Sequence, residues 1–194
     1  DRLDQLDLAI DAQLAIKRLV WRELRLEQID ADVKVDTEQP EIRRLHAVEI
    51  GGAEVNATGL LPWKAGPVSL DLEGQAPTLA RLARLWPAMP PMLTAAEGQA
   101  TIRAKLRGST EGAAVDAALH SPQIDVRLGG RIALEEGFKP LDATLELDLH
   151  NLSGLAPESA SLALGKKRMR GSVRAKAISR SEIAIDGELT TDST

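Results

Sequence analysis

Short runs that alternate aliphatic with charged or polar residues fill almost the whole chain. Leu6-Asp7-Leu8-Ala9-Ile10, Val68-Ser69-Leu70-Asp71-Leu72, Leu145-Glu146-Leu147-Asp148-Leu149 and Ile183-Ala184-Ile185 are examples. A period of two puts successive side chains on opposite faces, which is the mark of a half-buried β-strand. Such strands ordinarily close a core with aromatic residues. Here 194 residues include one Phe, three Trp and no Tyr. The pattern therefore predicts a mainly β fold: an elongated, twisted antiparallel sheet, repeat-like, with one or two short helices. Its aliphatic face has little bulky material to close it and is expected to form an open groove.

Composition narrows the function. With 43% hydrophobic and 27% charged residues the chain has enough apolar content to fold. A net charge of −5 offers no basic face to neutralise phosphates, so nucleic acid is not expected as a partner. The absence of cysteine excludes disulfides, thiolate metal sites and cysteine nucleophiles. No apolar run reaches the roughly 18 residues that would span a bilayer as a helix. The chain opens on Asp1-Arg2-Leu3-Asp4 without a basic-then-apolar leader and stops just after a strand-like run, so it reads as a piece of a longer protein.

Breaks in the alternation mark the connections. Leu24 and Leu26 are followed by Ile29, Ala31, Val33 and Val35, a change of parity that a β-bulge would produce. Gly51-Gly52, between Val48-Glu49-Ile50 and Val55, reads as a tight hairpin or bulge. From Thr78 to Trp86, Leu79, Leu82, Ala83 and Trp86 recur at helical spacing, with Thr78 as cap and Pro87 as stop. The prolines that follow predict a first β-rich unit over 1–88, a Pro-rich linker over 89–95 and a second β-rich unit over 96–194. Gly129-Gly130 provides a counterpart of Gly51-Gly52, and each pair precedes a bulky aromatic (Trp63, Phe138) and a long alternating strand. A weak internal repeat of stacked units follows.

Residues with catalytic chemistry do not assemble into a motif. His46, His120 and His150 have no partner at metal-ligand spacing and are expected to be solvated or edge histidines. Ser109, Ser121, Ser153 and Ser159 lie in turn-like contexts without a nucleophile elbow. Asp7, Asp11, Asp30, Asp32, Asp71, Glu146 and Asp148 alternate with apolar residues, as the solvent face of a sheet requires. No enzyme activity and no cofactor or metal are expected. Lys166, Lys167, Arg168 and Arg170 form the one dense basic cluster, read as a solvated hairpin tip. The same cluster could contact anionic headgroups or an acidic partner. Trp63, Trp86 and Phe138 are expected to plug the ends of small cores.

This grammar resembles the AsmA-like family of Gram-negative envelope proteins, which includes TamB-type relatives. The likeness rests on Leu24 to Val35, the Gly51-Gly52 turn, Leu70-Asp71-Leu72, the Leu79 to Leu85 segment and Leu106 to Gly112. The resemblance implies a periplasmic protein anchored in the inner membrane, whose curled sheet supports phospholipid passage to the outer membrane and outer-membrane integrity. The groove residues it nominates are Leu6, Leu8, Ile10, Val33, Val35, Val68, Leu70, Leu72, Leu145, Leu147 and Leu149. The partners expected are phospholipid or another acyl-chain ligand. The alternative is a scaffold that pairs its sheet edges with outer-membrane proteins during their assembly.

Overall fold

The computed structural model describes residues 9–21, 24–35, 40–49, 52–61, 65–81, 97–134, 139–150, 168–178 and 182–192. Among them twelve strands form one open antiparallel sheet. They are β1 (Ile10–Ile16), β2 (Leu19–Trp21), β3 (Leu24–Val35), β4 (Pro40–Glu49), β5 (Glu54–Leu60), β6 (Pro67–Ala76), β7 (Ala100–Ser109), β8 (Gly112–His120), β9 (Ile124–Ala133), β10 (Lys139–Leu149), β11 (Arg168–Ala177) and β12 (Ile183–Asp192). From β3 to β12 each strand pairs with the next in the sequence. β1 and β2 lie end to end along the far side of β3. The mainly β, open antiparallel fold expected from the alternation is what the chain adopts.

The parity changes resolve into bulges. Leu26 faces Glu49 and Gln28 faces Val48, so Glu27 is the extra residue behind the shift between Leu26 and Ile29. A second bulge sets Arg43 and Arg44 between the pairs Ile42–Gly59 and Leu45–Ala57. A third leaves Leu141 extra between Pro140 and Asp142. Each bulge bends its strand and adds right-handed twist.

The two glycine pairs do different jobs. Gly52 lies between β4 and β5 with φ +88°, and its N–H donates to the Glu49 carbonyl at 2.9 Å, while Gly51 lies outside the described residues. Only glycine takes such a φ without strain. Gly129-Gly130 lies inside β9 and does not turn, so the expected equivalence of the two pairs fails. Gly130 is there because a Cβ would sit 2.2 Å from the Asp142 carbonyl oxygen of β10, beside the third bulge.

Among the described residues helix is confined to one turn at residues 79–81, where the Arg81 N–H donates to the Thr78 carbonyl at 3.1 Å. Residues 82–96, which carry the rest of the expected helix and the 89–95 linker, lie outside the described residues. So do Trp63, Trp86 and Phe138. The strands on either side of the linker, β6 and β7, pair along their whole length from Pro67–Ser109 to Ala76–Ala100, so one sheet runs through both expected units.

Two apolar clusters occupy opposite strand ends of the same face. At one end Ala76, Leu79, Ala100, Leu119, Ile124 and Leu149 are buried together, with Leu79 brought over the sheet by the helical turn. At the other, Val68, Leu106, Ala113, Val115 and Ile132 pack together. Full burial of such a side chain contributes about 1.5–3 kcal/mol, so these clusters hold the central strands.

Candidate functional site: an unbroken aliphatic face

Antiparallel partners point to the same face, so registers can be followed from strand to strand. One row across the sheet reads Leu14, Ala31, Leu45, Ala57, Leu72, Ala104, Ala117, Leu128, Leu145, Val173, Gly187. The row beside it reads Ile16, Ile29, Ala47, Val55, Gly74, Ile102, Leu119, Val126, Leu147, Gly171, Leu189. On its other side run Ala12, Val33, Ile42, Gly59, Leu70, Leu106, Val115, Gly130, Ala143, Ala175, Ile185. No polar and no aromatic side chain interrupts these rows. At the usual strand spacing of about 4.8 Å the stripe is roughly 48 Å across.

The bulges preserve this face. Without the extra residue at Glu27, the parity of β3 would move Ile29, Ala31 and Val33 to the opposite side. The aliphatic stripe therefore depends on irregularities that the alternation alone would count as errors.

Most of the groove residues nominated from the sequence lie on this one face: Ile10, Val33, Val35, Val68, Leu70, Leu72, Leu145, Leu147 and Leu149. Leu6 and Leu8 lie outside the described residues. Access differs among them. Val68 and Leu149 are buried in the clusters, whereas Ile10 is 50% and Leu145 41% exposed. The groove set drawn from the sequence left out further open positions on this face, Leu14, Leu19, Val173, Ile183, Ile185 and Leu189, most of which it had read only as strand residues. Their signal was present as register: each continues a row or borders it, and none stands in a long run of its own.

The opposite face is charged, and its side chains pair across strands. Asp11, Asp30, Asp32, Asp71, Glu146 and Asp148 lie there, as the alternation implies; Asp7 is outside the described residues. Arg43, the bulge residue of β4, reaches Asp11 at 2.8 Å and Asp32 at 3.5 Å. The Arg107 guanidinium bonds the Asp71 carboxylate.

Of the basic cluster, two residues are described, and both lie in a strand. Arg168 and Arg170 stand in β11 opposite Asp148 of β10, with Arg168 Nε donating to Asp148 Oδ1 at 2.8 Å and Arg170 Nε 3.3 Å from Oδ2. Lys166 and Lys167 lie outside the described residues. The Arg168 bond holds the Asp148 carboxyl below the usual carboxylate range. Arg174 does the same for Asp142 with two bonds of 3.0 Å.

His120 and His150 flank one carboxylate. His120 Nδ1 is 2.5 Å from Asp125 Oδ1, and His150 Nε2 is 2.6 Å from Asp125 Oδ2. Partial burial works against the Asp125 anion, yet the two imidazoles outweigh it and lower its pKa. His46 sits within β4 and meets Asn56 Oδ1 at 2.9 Å. Sequence spacing gave no sign of the shared Asp125, because His120 and Asp125 stand on different strands and His150 just follows a third. Among the described residues no cluster of His, Asp or Glu has the arrangement of a metal site. The depression beside this network, about 410 Å³, is lined by charges of both signs, including Asp125, Arg127, Glu146 and Arg170.

The distinctive surface of the molecule is thus the aliphatic stripe, backed by a charged face that keeps the other side in water. Comparison with family models, curated proteins and solved structures finds no match to this chain.

Proposed function

We propose that this chain is a β-sheet segment of an AsmA-like periplasmic protein, and that its aliphatic face carries the acyl chains of phospholipid between inner and outer membrane. The observation that supports the reading is the three uninterrupted apolar rows, with Leu145, Val173, Ile185 and Leu189 still open to solvent at one side. A sheet face of this kind must normally be covered by a second layer. Among the described residues no second layer of strands lies over it, and the helical turn reaches one end only. An acyl chain laid on the stripe would leave water at about 0.8 kcal/mol per CH₂. Aliphatic side chains suit that ligand: they offer no hydrogen bond to fix one lipid in place, so a chain can shift along the rows. The parent would be held at the inner membrane by a segment elsewhere in the protein.

The reading is tested by native mass spectrometry of the purified chain after incubation with phospholipid, followed by lipid extraction. Bound phospholipid, lost on changing Leu145→Ser and Leu189→Ser together at unchanged melting temperature, is the expected result. Both positions are exposed, so the change spares the core. A protein that takes up no phospholipid, or retains it equally in the double variant, overturns the assignment.

A further inference from the structure

The charged face carries an order of its own. Its side chains on β6 are acidic (Asp71, Glu73) and those on β7 are basic (Arg103, Lys105, Arg107). β8 offers Asp116, while on β9 Arg127 and Arg131 outnumber Asp125. On β10, Asp142, Glu146 and Asp148 outweigh Lys139. β11 is wholly basic, with Arg168, Arg170, Arg174 and Lys176. β12 is acidic again, with Asp186, Glu188 and Asp192. From β6 onward the prevailing sign reverses at every strand, which sets opposite charges face to face at Glu73–Arg103, Asp71–Lys105, Lys105–Asp116, Arg127–Glu146, Arg131–Asp142 and Arg174–Asp186, with Asp125 opposite Asp148 as the exception.

This alternation stops at an edge. Among the described residues β12 pairs β11 on one side only and nothing pairs its other side, and all ten of its residues are exposed. Its outer side presents unpaired backbone groups over 183–192, and a strand of this length without Pro or Lys is a template for further pairing. The carboxylates of Asp186 and Glu188 lie on the charged face, Ile185 and Leu189 on the aliphatic one.

We infer that the free edge of β12 binds an extended polypeptide strand in which aliphatic residues alternate with Lys or Arg. The internal strands show the chemistry: the two strands whose charges are all basic, β7 and β11, each lie between acidic neighbours and have this composition. A strand of that kind would prolong the three apolar rows on one face and answer the β12 carboxylates on the other. A second copy of this chain is a poor occupant. Antiparallel β12–β12 pairing centred on Gly187 sets Asp186 opposite Glu188 of the other copy twice over, and like charges placed so are destabilising. Head-to-tail pairing meets β1, whose seven residues bring Asp11 and no cation, Lys17 and Arg18 lying past its end. The inference stands whether or not the aliphatic face carries lipid.

The test titrates the full chain into a labelled ten-residue peptide with the β7 sequence, Ala-Thr-Ile-Arg-Ala-Lys-Leu-Arg-Gly-Ser, by fluorescence anisotropy at low salt. A second peptide has its Arg and Lys replaced by Glu. Binding of the basic peptide at least about tenfold tighter than the acidic one is expected, together with slowed amide exchange in 183–192. The double change D186N and E188Q should abolish that preference. Equal binding of the two peptides, protection located elsewhere on the charged face, no binding, or β12 amides already protected in a dimer of the chain itself would each overturn the inference.

Discussion

The central strands β6 to β9 and the outer strands β10 to β12 are written in the same alternating code, yet they are held by different forces. In the centre, Leu106, Ala113, Val115, Leu119 and Ile124 are buried in two clusters. In the outer strands Leu145, Val173, Ile185 and Leu189 face solvent, and the ladder is laced by Arg168–Asp148, Arg170–Asp148 and Arg174–Asp142. Exposed ion pairs contribute about 0.2–1 kcal/mol each, less than one buried Leu or Ile. The contrast teaches that identical strand patterns give a core only where something covers the face. The outer strands are left with a surface ready to be used.

The largest test of this contrast is a pair of truncations. Ile124→Ala, at a position with no solvent exposure, should cost about 2–5 kcal/mol in denaturant unfolding. Ile185→Ala, 73% exposed, should stay within about 0.5 kcal/mol. Equal losses would mean that the outer face is covered after all. Next come the neighbouring glycines of β9. Gly130→Ala forces a Cβ against the β10 backbone at φ +136° and should cost about 1–3 kcal/mol. Gly129→Ala meets nothing within 4 Å and should be neutral or stabilising by up to about 1 kcal/mol.

Acid should loosen the outer strands before the centre. Asp148 and Asp142 have their pKa values lowered by Arg168 and Arg174, so folding favours their anions. Their contribution is complete above the ordinary carboxylate value of about 4 and disappears as pH falls below it. Amide exchange of β11 measured from pH 5 to pH 2.5, corrected for intrinsic rates, should accelerate relative to β7 and β8. A uniform change across the sheet would remove the distinction. The smallest effect belongs to Arg174→Ala, a slight loss of stability at low salt that shrinks at 1 M, where exposed charges are screened.

Much of this fold was legible in the sequence because its signal is local. Alternation located the strands, and the parity change after Leu26 located a bulge. What escaped is what depends on pairing. Gly51-Gly52 and Gly129-Gly130 look alike as letters, yet Gly52 serves the β4–β5 turn and Gly130 admits a neighbouring carbonyl inside a strand. The basic residues at 168 and 170 read as a solvated tip because Asp148 lies twenty residues earlier on the adjacent strand. Likewise, His120, Asp125 and His150 meet only through the β8–β9–β10 registers. The aliphatic candidates were visible as residues but not as rows, and register alone decides which of them remain open.

Sequential pairing also governs how such a molecule comes to exist. From β3 onward each strand needs only the strand before it as a template, so few contacts wait on distant parts of the chain. Loop closure is cheap at every step, and order can grow outward from the buried centre as a zipper does. A chain built this way can take shape progressively as it emerges, with each new hairpin annealing to a finished neighbour. Its weakest points are then its outermost strands, which can fray and re-form while the middle stays intact.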